Sequence, residues 1–130
     1  MRIQIANGRV IDPAHQLDTV TDLFIADGRI LAHGRAPDGF TAERVIDATG
    51  LVVCPGLIDL AARLREPGFE YRATLESEME AAMAGGVTSL AIPPDTDPAL
   101  DEPGLVEMLC YRAKKLNRAH IYPVGALTIG

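Results

Sequence analysis

Through the first fifty residues short apolar runs, alternating with polar positions over residues 2–6, are separated by turn signals, which predicts short β-strands. Ile3 and Ile5 alternate with polar neighbours, and Asn7-Gly8 is a dipeptide that favours a tight hairpin turn. Leu23, Phe24 and Ile25 lead into Asp27-Gly28, and Ile30 and Leu31 leave it, predicting a second hairpin. A Pro/Gly-containing loop over 36–39 precedes Val45 and Ile46, and Gly50 precedes Leu51, Val52 and Val53. Strands this short, with turn signals between them, suggest part of a small β-sandwich.

The period changes at Cys54-Pro55-Gly56. Leu57-Ile58-Asp59-Leu60 is a short apolar run, expected of a strand buried on both faces. After a turn at Pro67-Gly68, Thr74 is placed to cap a helix with Glu76 and Glu78 in its first turn, where the helix dipole favours acids. Leu75, Met79, Ala82 and Met83 recur at helical spacing, and Gly85-Gly86 ends the segment. A strand is expected over 87–93. Asp101 is the expected cap of a second helix, with Pro103 in its first turn and Leu105, Met108, Leu109, Arg112 and Leu116 along one face. A third strand is expected over 121–127. The order β-α-β-α-β demands right-handed crossovers and a parallel sheet. The fold class is thus α/β, with β strands over 1–53 and βαβαβ units over 54–130. Three parallel strands under two helices leave open edges, so a longer native protein is expected, with a small complete domain as the alternative.

Charge and composition narrow the functional classes. Lys and Arg number 12 against 18 Asp and Glu, a net charge of −6 with the acids scattered, which argues against nucleic acid or an anionic membrane as partner. No apolar stretch reaches the length of a membrane-spanning helix, and the first residues do not read as a signal peptide. Cys54 and Cys110 lack any CxxC spacing and read as reduced packing residues of a cytosolic protein.

The stretch from Pro55 to Pro98, PGLIDL-AAR-LREPG-FEYRATLESEMEAAMAGGVTSLAIPPDTDP, resembles the dihydroorotase signature. There the same frame reads PGLID-x-HxH-x-REPG and, further on, AAAAGG-T-x-x-x-x-MPNTxP. YPVGALT near the end is similar to that family too, as are the early strands, and LREPG favours dihydroorotase over hydantoinases and allantoinases. The resemblance implies a zinc-dependent (β/α)8 amidohydrolase barrel with an appended β-sandwich, an architecture of roughly 250 residues for the barrel alone. It implies reversible closure of carbamoyl-aspartate to dihydroorotate, for which the metal activates water and polarises the amide carbonyl.

The first histidine pair of that signature falls at Ala61 and Arg63. Alanine has no donor atom, and a guanidinium is protonated at any working pH and has no lone pair to give. Of the histidines, His15 is expected in a loop, His33 in a hairpin and His120 at the far end of a strand; none has ligand spacing, and neither Cys54 nor Cys110 is placed to substitute. The family's substrate-holding asparagine is Asp95 here, whose carboxylate repels a substrate carboxylate. Arg65 matches the family's substrate-binding arginine; alternatively it braces the loop by pairing with Glu66 or Glu70. Arg63 either neutralises acidic metal ligands retained in the protein beyond Gly130 or points along the loop into solvent.

Three functions follow as expectations. The first is a non-catalytic dihydroorotase-like subunit that assembles with aspartate transcarbamoylase and sustains its activity in pyrimidine biosynthesis, a role the resemblance implies. The second is an active cyclic amidohydrolase with an altered site. The third is a stand-alone protein that binds a ligand and does not hydrolyse it. No zinc or other cofactor is expected in the first and third, and a cytoplasmic location in all.

Overall fold

A computed structural model describes residues 1–128. The chain divides into two compact units, with the second beginning at Gly56.

The first unit is one mixed sheet. Strand β1 (Arg2–Asp12) pairs antiparallel with β2 (Leu17–Ala26), which pairs with β3 (Arg29–His33). On the other side β1 is joined in parallel by β4 (Arg44–Asp47) and then by the two-residue β5 (Val52–Val53). Asp27 and Gly28 both have positive φ, 52° and 73°, and close the β2–β3 hairpin as expected. Asn7-Gly8 does not turn the chain. Asn7 has a φ of 61° at an irregularity inside β1, between the pairs Ile5–Leu23 and Gly8–Thr21. Its amide donates to Asp22 at 2.9 Å, and β1 runs on past it. The dipeptide supplies a bulge, for which the same left-handed backbone is needed. A side chain at Gly8 would lie 2.6 Å from Val53 Cγ2, so glycine also admits the close approach of β5. The turn comes later, in a 3₁₀ segment (Pro13–His15) that Asp12 caps by accepting from the Ala14 amide at 3.0 Å. Val10, Leu23, Phe24, Ala26 and Ala48 are the buried apolar residues of this unit, and Phe24 meets Phe40 edge-on.

The second unit alternates strand and helix: β6 (Leu57–Asp59), α1 (Leu75–Ala84), β7 (Val87–Ile92), α2 (Pro103–Leu116) and β8 (His120–Pro123). The three strands are parallel in the order β6-β7-β8, the arrangement demanded by βαβ crossovers. Thr74 caps α1, but reciprocally with Ser77: the Ser77 amide donates to Thr74 Oγ1, and the Thr74 amide to Ser77 Oγ. Leu75 and Met79 point from α1 into a core shared with Leu90 and Ile92 of β7, Leu109 and Ala113 of α2, and Leu64, Leu100 and Ala119.

Three local expectations are corrected. The cap residue of α2 is Glu102, not Asp101, because Pro103 occupies the first helical position; no side-chain cap bond forms. The third strand is shorter than 121–127, since Pro123 ends it and the following amides bond outside the sheet, Val124 to Ile92 O and Ala126 to Leu100 O. Finally, Leu57 and Ile58 of β6 and Leu60 just after it are 55%, 66% and 80% exposed rather than buried; among the described residues β6 pairs with β7 alone.

Candidate functional site at the ends of two parallel strands

Segments leaving the carboxyl ends of adjacent parallel strands converge in α/β sheets, and ligands are met there. In this chain those segments are residues 60–68 after β6 and 93–98 after β7. The first stays attached briefly: the Ala62 amide donates to Ala91 O at 2.9 Å, extending the β6–β7 ladder. The Ala61 amide turns back to Asp59 Oδ1 at 2.9 Å, which leaves the Ala61 methyl exposed. Further along, the Asp97 amide donates to Pro67 O at 3.2 Å and ties the two segments together. Gly68 is the close-approach point, with φ of 98°; a Cβ there would lie 2.3 Å from Asp97 O. The Glu66–Pro67 and Asp97–Pro98 peptides are both cis.

Arg63 does not run unpaired into solvent. Its Nε donates to Asp95 Oδ2 at 2.5 Å, with both side chains about half exposed. The residues standing at a metal-ligand position and at a substrate-amide position are thus bonded to each other. Two opposite charges each lie a short step beyond the ends of strands that βαβ order makes parallel neighbours.

The expected brace at Arg65 is also corrected. Glu66 is buried and committed elsewhere: its carboxylate pairs with Arg112 of α2 and accepts from the Leu75 amide at 2.8 Å. Glu70 accepts from the Gly68 amide at 3.0 Å, and that bond, first among its causes, holds the Glu70 carboxyl below its ordinary range. The Arg65 guanidinium has no hydrogen-bond or ion-pair partner among the described residues. Arg65 itself is half-buried, in a left-handed conformation (φ 63°). Sequence reasoning missed the role of Arg112, which sits on the helix face otherwise occupied by core residues.

A zinc site does not fit these side chains. Ala61 offers no donor, and Arg63 offers only N–H groups, one of them already given to Asp95. His15 is exposed in the first unit and pairs with Asp12 at 2.6 Å, which holds the Asp12 carboxyl below its usual range. His33 ends β3, and His120 is the first residue of β8, at the end of the strand away from the candidate site. Cys54 and Cys110 are both exposed. Among the described residues, no group of three or more His, Cys, Asp or Glu side chains is arranged to hold a metal ion. No described helix is long and apolar enough to cross a membrane.

Comparison with known proteins agrees with the motif reading. The family model described as "Dihydro-orotase-like" matches residues 50–130. A "Dihydroorotase-like protein" of Pseudomonas aeruginosa is 52% identical over all of this chain, which spans 31% of that protein. A "Dihydroorotase" of Syntrophotalea carbinolica is 45% identical, with 30% of its length spanned. Among solved structures, an L-hydantoinase from Arthrobacter aurescens superposes on 95% of the chain with a TM-score of 0.81 at 23% identity, a likeness of fold. Molinate hydrolase superposes on 97% with a TM-score of 0.66 at 26% identity; the chain spans 27% and 30% of these two proteins. The fold is that of the first βαβαβ units of an amidohydrolase (β/α)8 barrel preceded by strands of a small β domain, and the chain belongs to the dihydroorotase-like family.

Proposed function

We propose that the full-length protein is a non-catalytic dihydroorotase-like subunit that binds aspartate transcarbamoylase in the cytoplasm and sustains its activity in pyrimidine biosynthesis. The observation that carries the reading is the state of the signature's first histidine pair. One position is a bare methyl at Ala61, and the other is Arg63, bonded to Asp95. Hydrolysis of a cyclic amide needs an activated water, and neither side chain holds the ion that would supply one. The surrounding scaffold is meanwhile well formed, with a reciprocal cap on α1, an apolar core between the helices and the sheet, and a buried Glu66 paired with Arg112. Most random substitutions destabilise, so a fold kept in this condition without its chemistry serves through its shape. Fold alone does not name a partner; transcarbamoylase is the candidate that the family supplies.

A second reading, a ligand-binding protein without hydrolysis, draws on Arg65, whose guanidinium has no described partner. Elemental analysis of the purified full-length protein, with turnover of dihydroorotate, tests the shared premise of both. Substoichiometric zinc and background turnover are expected. Near-stoichiometric zinc with turnover well above background returns the protein to the active cyclic amidohydrolases.

A further inference from the structure

Two departures from the family signature, far apart in sequence, are in direct contact. We infer that Asp95 is a tethered counter-ion for Arg63, and that the two departures form one compensated change: the carboxylate of Asp95 holds the guanidinium that a free anion would otherwise engage. The inference does not rest on the partner assignment above.

Two neighbouring carboxylates are engaged elsewhere. Glu66 is taken by Arg112 and the Leu75 amide, and Glu70 by the Gly68 amide. Arg65, on the same segment, adds a second positive charge with no described partner. Asp97, two residues from Asp95, adds a second negative charge to the other segment and is linked to Pro67 through its backbone. Each half of the pair therefore has a like charge two residues away in sequence, and the Arg63–Asp95 bond joins the two oppositely charged segments. Removing either charge leaves the strand ends with an unmatched charge of the opposite sign. Asp95→Asn leaves the half-exposed Arg63 guanidinium, two residues from the second cation Arg65, without a tethered carboxylate and open to a free anion. Arg63→Gln leaves Asp95 without its cation, and no anion site forms. The double substitution removes both charges together and returns the local balance to that of the parent.

The test uses inorganic phosphate as probe, titrated into the full-length protein at low ionic strength. Asp95→Asn is expected to bind phosphate roughly threefold to tenfold tighter than the parent, the size of one released charge at a half-exposed position. Arg63→Gln and Arg63→Gln/Asp95→Asn are expected to show no such gain. An equal gain in the double variant overturns the inference, because Arg63 is then not the group released; no gain in Asp95→Asn overturns it as well. A ligand-free measurement backs the titration. Hydrogen exchange at the Arg63 Nε–H, seen by NMR, should accelerate several-fold in Asp95→Asn, as expected when a charge-assisted bond is lost. An unchanged rate shows that the carboxylate does not hold the guanidinium in solution.

Discussion

Glu66 is the residue on which the architecture of the strand-end site depends most, and its removal gives a calculable result. Its side chain is 6% exposed, accepts from the Leu75 amide at 2.8 Å and pairs with Arg112. Leu75 is fully buried and opens α1, so no water reaches its N–H when the acceptor is removed. An orphaned buried donor costs about 1–3 kcal/mol. Loss of a negative charge at the amino end of a helix adds about 0.3–1 kcal/mol. Arg112, whose side chain is 46% exposed, returns to water at little cost. Glu66→Ala is therefore expected to destabilise the loop–helix junction by about 2–3 kcal/mol. Glu66→Gln, which keeps an acceptor for Leu75, should lose about half of that. Arg112→Ala strands a buried carboxylate, which costs up to roughly 3–5 kcal/mol when no water enters; with Arg112 at the surface, about 1.5–3 kcal/mol is expected. The double variant should show a coupling of at least ~1 kcal/mol, beyond the range of an ordinary surface pair. Native-state hydrogen exchange at Leu75 in the full-length protein is the assay, with exchange expected to rise by roughly thirtyfold in Glu66→Ala. Exchange within threefold of the parent, or strictly additive single variants, refutes the account of Glu66 as a brace.

Three further outcomes follow from other parts of the structure. Gly68→Ala should destabilise by at least ~2 kcal/mol, because the Cβ meets Asp97 O at 2.3 Å in a positive-φ backbone; a thermal midpoint unchanged from the parent contradicts that contact. Asp12, Asp18, Asp47 and Glu70 are all held below their ordinary carboxyl values, by His15, Arg9, the Thr49 hydroxyl and the Gly68 amide respectively. Such depressed groups stabilise the fold above the unfolded carboxyl value and lose that effect as pH falls through the folded one, so urea stability should decline from about pH 4 downward; a flat profile there rules the linkage out. Ala61→His with Arg63→His should restore zinc only where the family's later ligands persist, and turnover should additionally need Asp95→Asn; equal activity with and without the third change shows that Asp95 is harmless to substrate.

What the sequence disclosed was mainly local. Asp27-Gly28 reads correctly because its strands are short and adjacent, so the dipeptide's backbone preference decides the outcome. Asn7-Gly8 has the same preference, yet β2 pairs with β1 on both sides of it, and long-range pairing turns the signal into a bulge. The β6 run has the composition of a buried strand, but burial depends on what lies beside it, and among the described residues only β7 does. At the site, the chemistry missing from Ala61 was visible residue by residue. The Arg63–Asp95 bond and the Glu66–Arg112 pair were not, because each joins segments that only the parallel register and the helix packing bring together.

The central claim, a folded subunit that serves through association rather than hydrolysis, is tested most directly by mixing. The purified full-length protein and the aspartate transcarbamoylase of the same organism are combined at micromolar concentration, and mass is measured by light scattering with transcarbamoylase assays alongside. The account predicts one species heavier than either component and a transcarbamoylase that is more active or longer-lived than alone. Separate elution of the two proteins with unchanged transcarbamoylase activity contradicts it.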